Sequence, residues 1–355
     1  MPATSRRHRL FDAGFRAIAA TRADRWLAPV AQGQGVILTF HHVDPAPPAA
    51  YAPNRLLTIT PAFLDRVLVA LEDRGFDLIG LDAVPDRLAE PGARPFAVLT
   101  FDDGYRDNVE HARPILQRHG APWTLFVTSD FADGTGRLWW LELERAIGCL
   151  DRVRVPASEP GAPGFDLPAR DAEEKSAAFA ALYGHLRGGP ESRLLRVIAD
   201  LCAQAGFAPG ELARELCLSW PDLRELARDP AVTIGAHTVS HPMLAKHDAE
   251  TVRREIGHGR DRIAAELGRP VRHLSFPVGD PTSAGMREFA LARAMGFSTA
   301  VTTRPGHLFP GHAGHLHALP RVSVNGYHQT EATLSALLSG VPFLAWNRLR
   351  RLNVG

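Results

Sequence analysis

From about residue 36 onward, short apolar runs alternate with segments of helical period, the pattern of successive strand–helix units around a parallel sheet. Residues 36–40 (VILTF) read as a strand that ends in His41-His42. Thr60-Pro61 opens a helix, Thr60 as N-cap and Pro61 in the first turn, with Phe63, Leu64, Val67, Leu68 and Leu71 on one face and Gly75 beyond. Residues 76–81 predict a second strand. Residues 96–101 (FAVLTF) predict a strand buried on both faces that runs straight into Asp102-Asp103-Gly104. A helix over about 105–118 and a strand over 124–128 follow.

The rhythm breaks between about 136 and 218, where a Pro/Gly-rich patch (156–168) precedes two Ala/Leu-rich helical stretches around 171–187 and 191–205. This part reads as an insertion, either a lid or substrate wall or a decoration that only packs. The alternation then resumes. Residues 219–227 form a short capped helix, and 232–236 a strand that delivers His237. An amphipathic helix over 248–267 aligns Val252, Ile256, Ile263 and Leu267. Strands are expected at 274–276, 298–302 and 319–324, with a helix at about 330–338. Seven or so strands with helices between them imply an α/β chain folded as an open or distorted (β/α) barrel. The expected division is a leader over 1–35, a barrel over 36–330 and a C-terminal helix and tail over 331–355.

Composition adds limits. The 355 residues are 45% hydrophobic and 22% charged, which is globular, and a net charge of +1 gives no global field toward nucleic acid. The charge is uneven, because residues 1–35 carry Arg6, Arg7, Arg9, Arg16, Arg22 and Arg25 against Asp12 and Asp24. The last ten residues add Arg348, Arg350 and Arg351 without an acid. The leader can be drawn as a basic amphipathic helix, with Leu10, Phe11, Phe15, Ile18 and Trp26 on its apolar side. Such a segment fits peripheral contact with an anionic membrane, and equally a helix packed on the barrel with solvated arginines. Three cysteines without CxxC spacing argue against a disulfide framework. No apolar run approaches the ~20 residues of a spanning helix. Arg16, Arg22, Asp24 and Arg25 interrupt any signal-peptide core. The expected location is the cytoplasm.

Three segments place polar groups where an apolar strand stops: TFDDGY (100–105), HTVSH (237–241) and TFHH (39–42). In a parallel barrel that is the C-terminal rim, where catalytic groups gather. Two adjacent carboxylates at the end of a buried strand are costly to desolvate, and a cation beside them relieves the cost. Asp-Asp-Gly before a helix is also an ordinary N-cap. His237 and His241, four apart, would put two imidazoles on one face of a helical turn, close enough to share an ion. With a strand-end Asp they supply a two-His, one-carboxylate site with open positions. Zn suits it best, and Co, Ni or Fe also fit. Trp139, Trp140 and Trp220 could stack on sugar rings, or serve only the core.

TFDDGY together with IGAHTVSHP, and the longer run LSWPDLRELARDPAVTIGAHTVSHPML, resembles the polysaccharide deacetylases, the NodB-homology group also classed as carbohydrate esterase family 4. The resemblance spans roughly residues 36–324. It implies a (β/α)7 barrel and metal-dependent hydrolysis of an N-acetyl group on an N-acetylhexosamine-containing oligo- or polysaccharide, releasing acetate. By position it implies Asp103, His237 and His241 as metal ligands, Asp102 as catalytic base and the Tyr105 backbone N–H as an oxyanion donor. The third family motif departs from its usual Arg-x-Pro form: here it is LSFPVGD, with Ser275 in the place of the Arg, and Pro277 and Gly279 shaping the loop. That variant, with a His in an N-terminal strand, resembles the poly-N-acetylglucosamine deacetylase subgroup and implies His41 as general acid, His42 facing the other way. His315 and His317 lie near where other members carry a late acid. Arg321 in LPRVSV could replace the missing Arg as the partner of Asp102, or lie on the surface. The alternatives are a metal-dependent deacetylase of a non-glycan or O-acetyl substrate, and a non-catalytic glycan-binding relative. The presence of both carboxylates with both histidines disfavours the last.

Overall fold

The computed structural model describes residues 6–90, 92–157 and 164–354. Residues 158–163 of the Pro/Gly patch therefore lie outside the described residues, as do residues 1–5 of the leader. Seven parallel strands close into a barrel: β1 (Gly35–Phe40), β2 (Phe96–Phe101), β3 (Trp123–Val127), β4 (Val232–Ala236), β5 (His273–Ser275), β6 (Thr299–Pro305) and β7 (Leu319–Ser323). Each pairs with its neighbour in the sequence, and β7 and β2 both pair with β1, which closes the ring. Helices surround it, the arrangement of a distorted (β/α)7 barrel.

The two-residue period of the strands sorts their side chains. Val36, Leu38, Phe40, Ala97, Leu99, Phe101, Leu125, Ile234 and Leu274 belong to the apolar layer that also holds Phe63, Leu64, Val67, Val252, Ile256 and Ile263 from the surrounding helices. The alternate positions Ile37, Val98, Phe126, Val301 and Leu319 form a separate cluster inside the barrel. Continuing the inner parity toward the strand ends reaches Thr39 and His41, Thr100 and Asp102, Ser275, Thr303, and Arg321 and Ser323. The polar residues therefore sit on the same face as the inner core, one or two steps higher. Gly235 leaves the room that Phe126 occupies, since a Cβ there would lie 2.5 Å from the Phe126 ring.

Three expectations change. The strand expected over 76–81 is only Asp77–Leu78, and it pairs with Phe96 and Ala97 at the start of β2. Higher up, the same edge of β2 is taken by β3, through Leu99↔Trp123 to Phe101↔Leu125, so a longer strand has nothing to pair with. The helix expected over 105–118 begins as a wide turn at Asn108–Ala112 before Arg113–Arg118, because Pro114 has no N–H to offer the preceding turn. The segment from His237 to His241 is an irregular loop, not a helical turn. The other strands and helices fall within a few residues of expectation, including Pro61–Asp73, where Thr60 accepts a hydrogen bond from the Phe63 N–H. The helix Ala249–Leu267 is capped in the same way by Asp248.

Between β3 and β4 lie the helices Trp139–Cys149, Ala172–Gly188 and Glu191–Gln204 and a hairpin of Arg152–Val155 with Phe165–Pro168. Their buried residues, among them Leu143, Ile147, Leu182, Leu194, Ile198 and Leu201, form a second apolar cluster that Tyr105, Phe131 and Met243 join from the barrel loops. The insertion is thus packed directly over the carboxyl ends of the strands.

Candidate metal centre

At the carboxyl ends of β2 and β4 the chain brings Asp103, His237 and His241 together, more than 130 positions apart in sequence. One ligand atom from each lies within 4.8 Å of the others. Asp103 Oδ1 stands 3.6 Å from His237 Nε2 and 3.5 Å from His241 Nε2. All three residues are buried. The His237 Nδ1–H donates to the Ser275 carbonyl at 2.7 Å, which leaves the Nε2 lone pair directed at the shared point. His241 is seated between Phe131 and Trp140.

The backbone is strained to achieve this. Asp103 (φ 73°), Thr238 (φ 68°), His241 (φ 63°) and Val278 (φ 61°) occupy the left-handed region, which is unfavourable for non-glycine residues and worst for the β-branched Thr and Val. Surrounding contacts hold the conformation. The Ser129 and Asp130 N–H groups donate to the carbonyls of Thr238 and Val239. From the helix Ala249–Leu267, Glu255 Oε2 accepts from the N–H groups of Val239 (3.1 Å) and Ser240 (2.9 Å), and Oε1 accepts from Ser240 Oγ (2.9 Å). One turn on, Gly259 lets that helix approach, since a Cβ there would fall 2.6 Å from the Thr238 carbonyl carbon.

Asp102 sits beside this group in a different environment. Arg321, only 1% exposed, donates Nη1 to Asp102 Oδ1 (2.8 Å) and Nη2 to Oδ2 (2.6 Å) in a bidentate pair. The remaining guanidinium donors reach Thr100 Oγ1, Ser275 Oγ and the Thr302 carbonyl, so the buried cation is fully satisfied. Ser275 Oγ also donates to Asp102 at 3.3 Å. Burial alone would raise the Asp102 pKa, but the charges of Arg321 and His237 and the Arg321 hydrogen bonds outweigh it and hold the carboxyl well below the usual range. For Asp103, burial and the adjacent Asp102 charge act together and push it up to about 8. Two neighbouring carboxylates are thus driven in opposite directions, one matched to a fixed internal cation and the other lacking one.

That difference, with the orphaned atoms, tests the fit of a metal. Asp103 Oδ1 and His241 Nδ1 are buried without a hydrogen-bond partner among the described residues. Burial also keeps both imidazoles neutral, lowering His237 and His241, so their ring nitrogens are available as ligands. One hard carboxylate and two imidazole nitrogens around an uncompensated position form a buried triad able to coordinate a divalent cation.

The site opens into a cavity of about 270 Å³. His41, Asp102, Asp103, His237 and His241 line its base, Trp139, Trp140 and Tyr183 of the insertion one wall, and Leu56, Leu57 and Val278 others. His41 therefore joins the centre, and burial lowers its pKa to about 4 against the raising influence of Asp102. His42 turns away: its Nδ1 lies 2.6 Å from Asp107 Oδ2 and its ring stacks on Tyr105. It borders a second cavity of about 430 Å³, with Asp44, Asp107 and Glu144, that meets the first at Asn54.

Tyr105 is buried, and its N–H has no acceptor among the described residues, although the residue is not part of the cavity wall. Pro277 precedes the strained Val278-Gly279 turn. Gly279 has φ 66°, and a Cβ there would lie 2.8 Å from the Thr303 nitrogen. Neither His315 nor His317 reaches the centre, and His317 Nε2 bonds the Phe297 carbonyl instead. Trp220 is also elsewhere, its Nε1–H donating to Asp133. Residue patterns did not single out Tyr183, Asn54, Leu56, Leu57, Glu255 or Gly259. A glycine inside a helix is a signal of close approach, and Gly259 carried it.

The sequence profile described as polysaccharide deacetylase matches residues 89–156 and 189–299, half of the chain. The chain belongs to the polysaccharide deacetylase family. No curated protein matches it. Among solved structures it is similar to the Streptococcus pyogenes deacetylase PplD in complex with acetate (18% identity, 82% of this chain and 92% of that one, TM-score 0.52). IcaB from Ammonifex degensii (17% identity, 87% and 97%, TM-score 0.54) is also similar. So is the de-N-acetylase from Aggregatibacter actinomycetemcomitans (14% identity, 86% and 99%, TM-score 0.54). At these identities the likeness is one of fold. Family membership and the buried triad together identify a metal-assisted deacetylase.

Proposed function

We propose that this deacetylase hydrolyses the acetamide of an N-acetylhexosamine unit in an oligo- or polysaccharide, and that it falls in the poly-N-acetylglucosamine deacetylase-like subgroup. The observation that carries the mechanism is the pair of unlike carboxylates: Asp102 clamped on Arg321, and Asp103 unmatched between two neutral imidazoles. In this reading Asp103, His237 and His241 hold the cation, Zn being favoured by the mixed nitrogen and oxygen donor set and Co, Ni or Fe acceptable to it. A divalent cation there supplies a lowered pKa for water in contact with it, toward ~7, and polarises the acetyl carbonyl.

The chain supplies the rest. Arg321 and Ser275 fix the Asp102 carboxylate in its ionised form and in one orientation, ready to take the proton from attacking water. The Tyr105 N–H, left without an acceptor, is the donor for the oxyanion of the tetrahedral species. His41 gives a proton to the amine nitrogen as the C–N bond breaks. Its low pKa keeps it neutral before substrate binds, and negative charge arriving on the acyl oxygen favours the protonated form, the proton being taken up from solvent. Pro277 and Gly279 hold Val278 against the cavity. The main cavity has the size of one pyranose with its acetamide, Trp139, Trp140 and Tyr183 offering aromatic faces to it. The adjoining cavity gives a neighbouring unit a place.

Acetate release from N-acetylglucosamine oligomers tests the reading. Release should stop with chelator, return with Zn, and fall by about 100-fold or more in Asp102→Asn. Equal acetate release from Asp102→Asn would remove the base assignment. Release from acetylated small molecules alone would remove the glycan.

A further inference from the structure

The first and last helical segments of the chain pack together on the side of the barrel. The helix Arg6–Ala20 lies against Glu331–Ser339, and Val341–Trp346 touches both it and the turn Ala28–Ala31. Specific contacts pin them. Asp12 bonds His328 Nδ1 at 2.7 Å, the His8 ring stacks on Tyr327, Asp24 bonds Ser335, and Arg351 Nη2 donates to the Val30 carbonyl at 3.2 Å.

Those contacts leave several large apolar side chains of the same segments in solvent. Nine large apolar side chains are exposed among the described residues, and six of them belong to these segments: Leu10, Trp26, Val30, Trp346, Leu349 and Leu352. Leu10 is 71% exposed, Trp26 63% and Leu349 77%. Single exposed apolar residues are ordinary, but this concentration is a patch. The same segments expose Arg9, Arg16, Arg22, Arg25, Arg348, Arg350 and Arg351. None of these seven forms an ion pair with a carboxylate among the described residues; Asp12 and Asp24 are turned to His328 and Ser335, which leaves Glu331 as the exposed acid of the described segments.

We propose that this surface docks on an anionic lipid bilayer. Tryptophan and leucine bare to solvent, flanked by seven exposed guanidinium groups against the one exposed acid Glu331, match an interface of acyl chains beneath negative headgroups. A second copy of the chain would set seven guanidinium groups against seven like charges, which argues against self-association through this face. The proposal makes no use of the reaction, so it stands or falls separately from the deacetylase reading.

The test is co-flotation of the full chain with vesicles of phosphatidylcholine alone or with phosphatidylserine added. Binding is expected only with phosphatidylserine and should weaken as salt rises. Trp26→Ser with Leu349→Ser should lower partitioning by roughly tenfold or more, and Arg22→Glu with Arg25→Glu should lower it by a similar factor. Unchanged thermal midpoints would show that both double variants fold. Equal binding to neutral and anionic vesicles, or full binding by both folded double variants, would overturn the proposal. So would a concentration-dependent dimer in solution that the same substitutions dissociate.

Discussion

Replacing Arg321 by Met probes the electrostatics inside the barrel. The guanidinium is buried and gives Asp102 two short hydrogen bonds, with further donors to Thr100, Ser275 and the Thr302 carbonyl. Met keeps most of the aliphatic bulk and none of the donors. Asp102, 3% exposed, would then retain only the 3.3 Å bond from Ser275. Breaking a buried pair by removing one partner costs about 3–5 kcal/mol, chiefly through the charge left behind. The pH dependence has a definite sign. In the parent, Asp102 is held well below its unfolded value, so its contribution is present above about pH 4 and is lost only as pH falls through the folded value. Without Arg321 the burial effect is no longer outweighed and the carboxyl moves up. Protonation then relieves the stranded charge, and the gap between the two proteins should narrow as pH falls from 7 toward 5. Urea unfolding with chelator present, at both pH values, measures that gap. Adding Asp102→Asn to Arg321→Met should restore part of the stability while leaving the protein inactive. A deficit under about 1 kcal/mol at pH 7, or one that does not change with pH, would show that Arg321 does not hold the Asp102 charge in place.

Two further outcomes follow from neighbouring geometry. Glu255→Ala removes the acceptor of the Val239 and Ser240 N–H groups, and Gly259→Ala drives a methyl into the Thr238 backbone. Each should lower metal affinity by about 10–100-fold, as loss of a group that supports a ligand does, read by chelator competition. His307 and His312 are buried and lowered to about 4, chiefly by burial, so between about pH 4 and 6.5 the unfolded chain binds protons that the folded one does not. Stability should therefore rise with pH across that window. His307→Gln should flatten the rise by on the order of 2 kcal/mol in urea titrations.

Strand parity made much of this architecture legible. The apolar runs 96–101 before Asp102 and 36–40 before His41 placed those side chains at strand ends on the C-terminal rim without any knowledge of the partners. For Arg321 the residue pattern left a partner of Asp102 and a surface position both open, because the pairing depends on closure of the ring between β1 and β7. The His237–His241 spacing pointed to the right residues for the wrong local reason. A helical turn was expected, whereas a strained loop held by Glu255 and Gly259 brings the rings together. Tyr183 and Asn54 carried no signal, since both reach the cavity through packing of the insertion and the loop after β1. The truncated strand Asp77–Leu78 shows the same limit: its length is set by competition for one edge of β2, which local pattern does not encode.

Asp103, His237 and His241 are expected to share one ion, and zinc titration against a chromogenic chelator measures it. The parent should take up one Zn per chain. Asp103→Asn, His237→Gln and His241→Gln should each weaken uptake by about 100-fold or more, and His42→Gln and His317→Gln should leave it unchanged. Parent-like affinity in any of the first three variants, with its fold intact, would contradict the shared site.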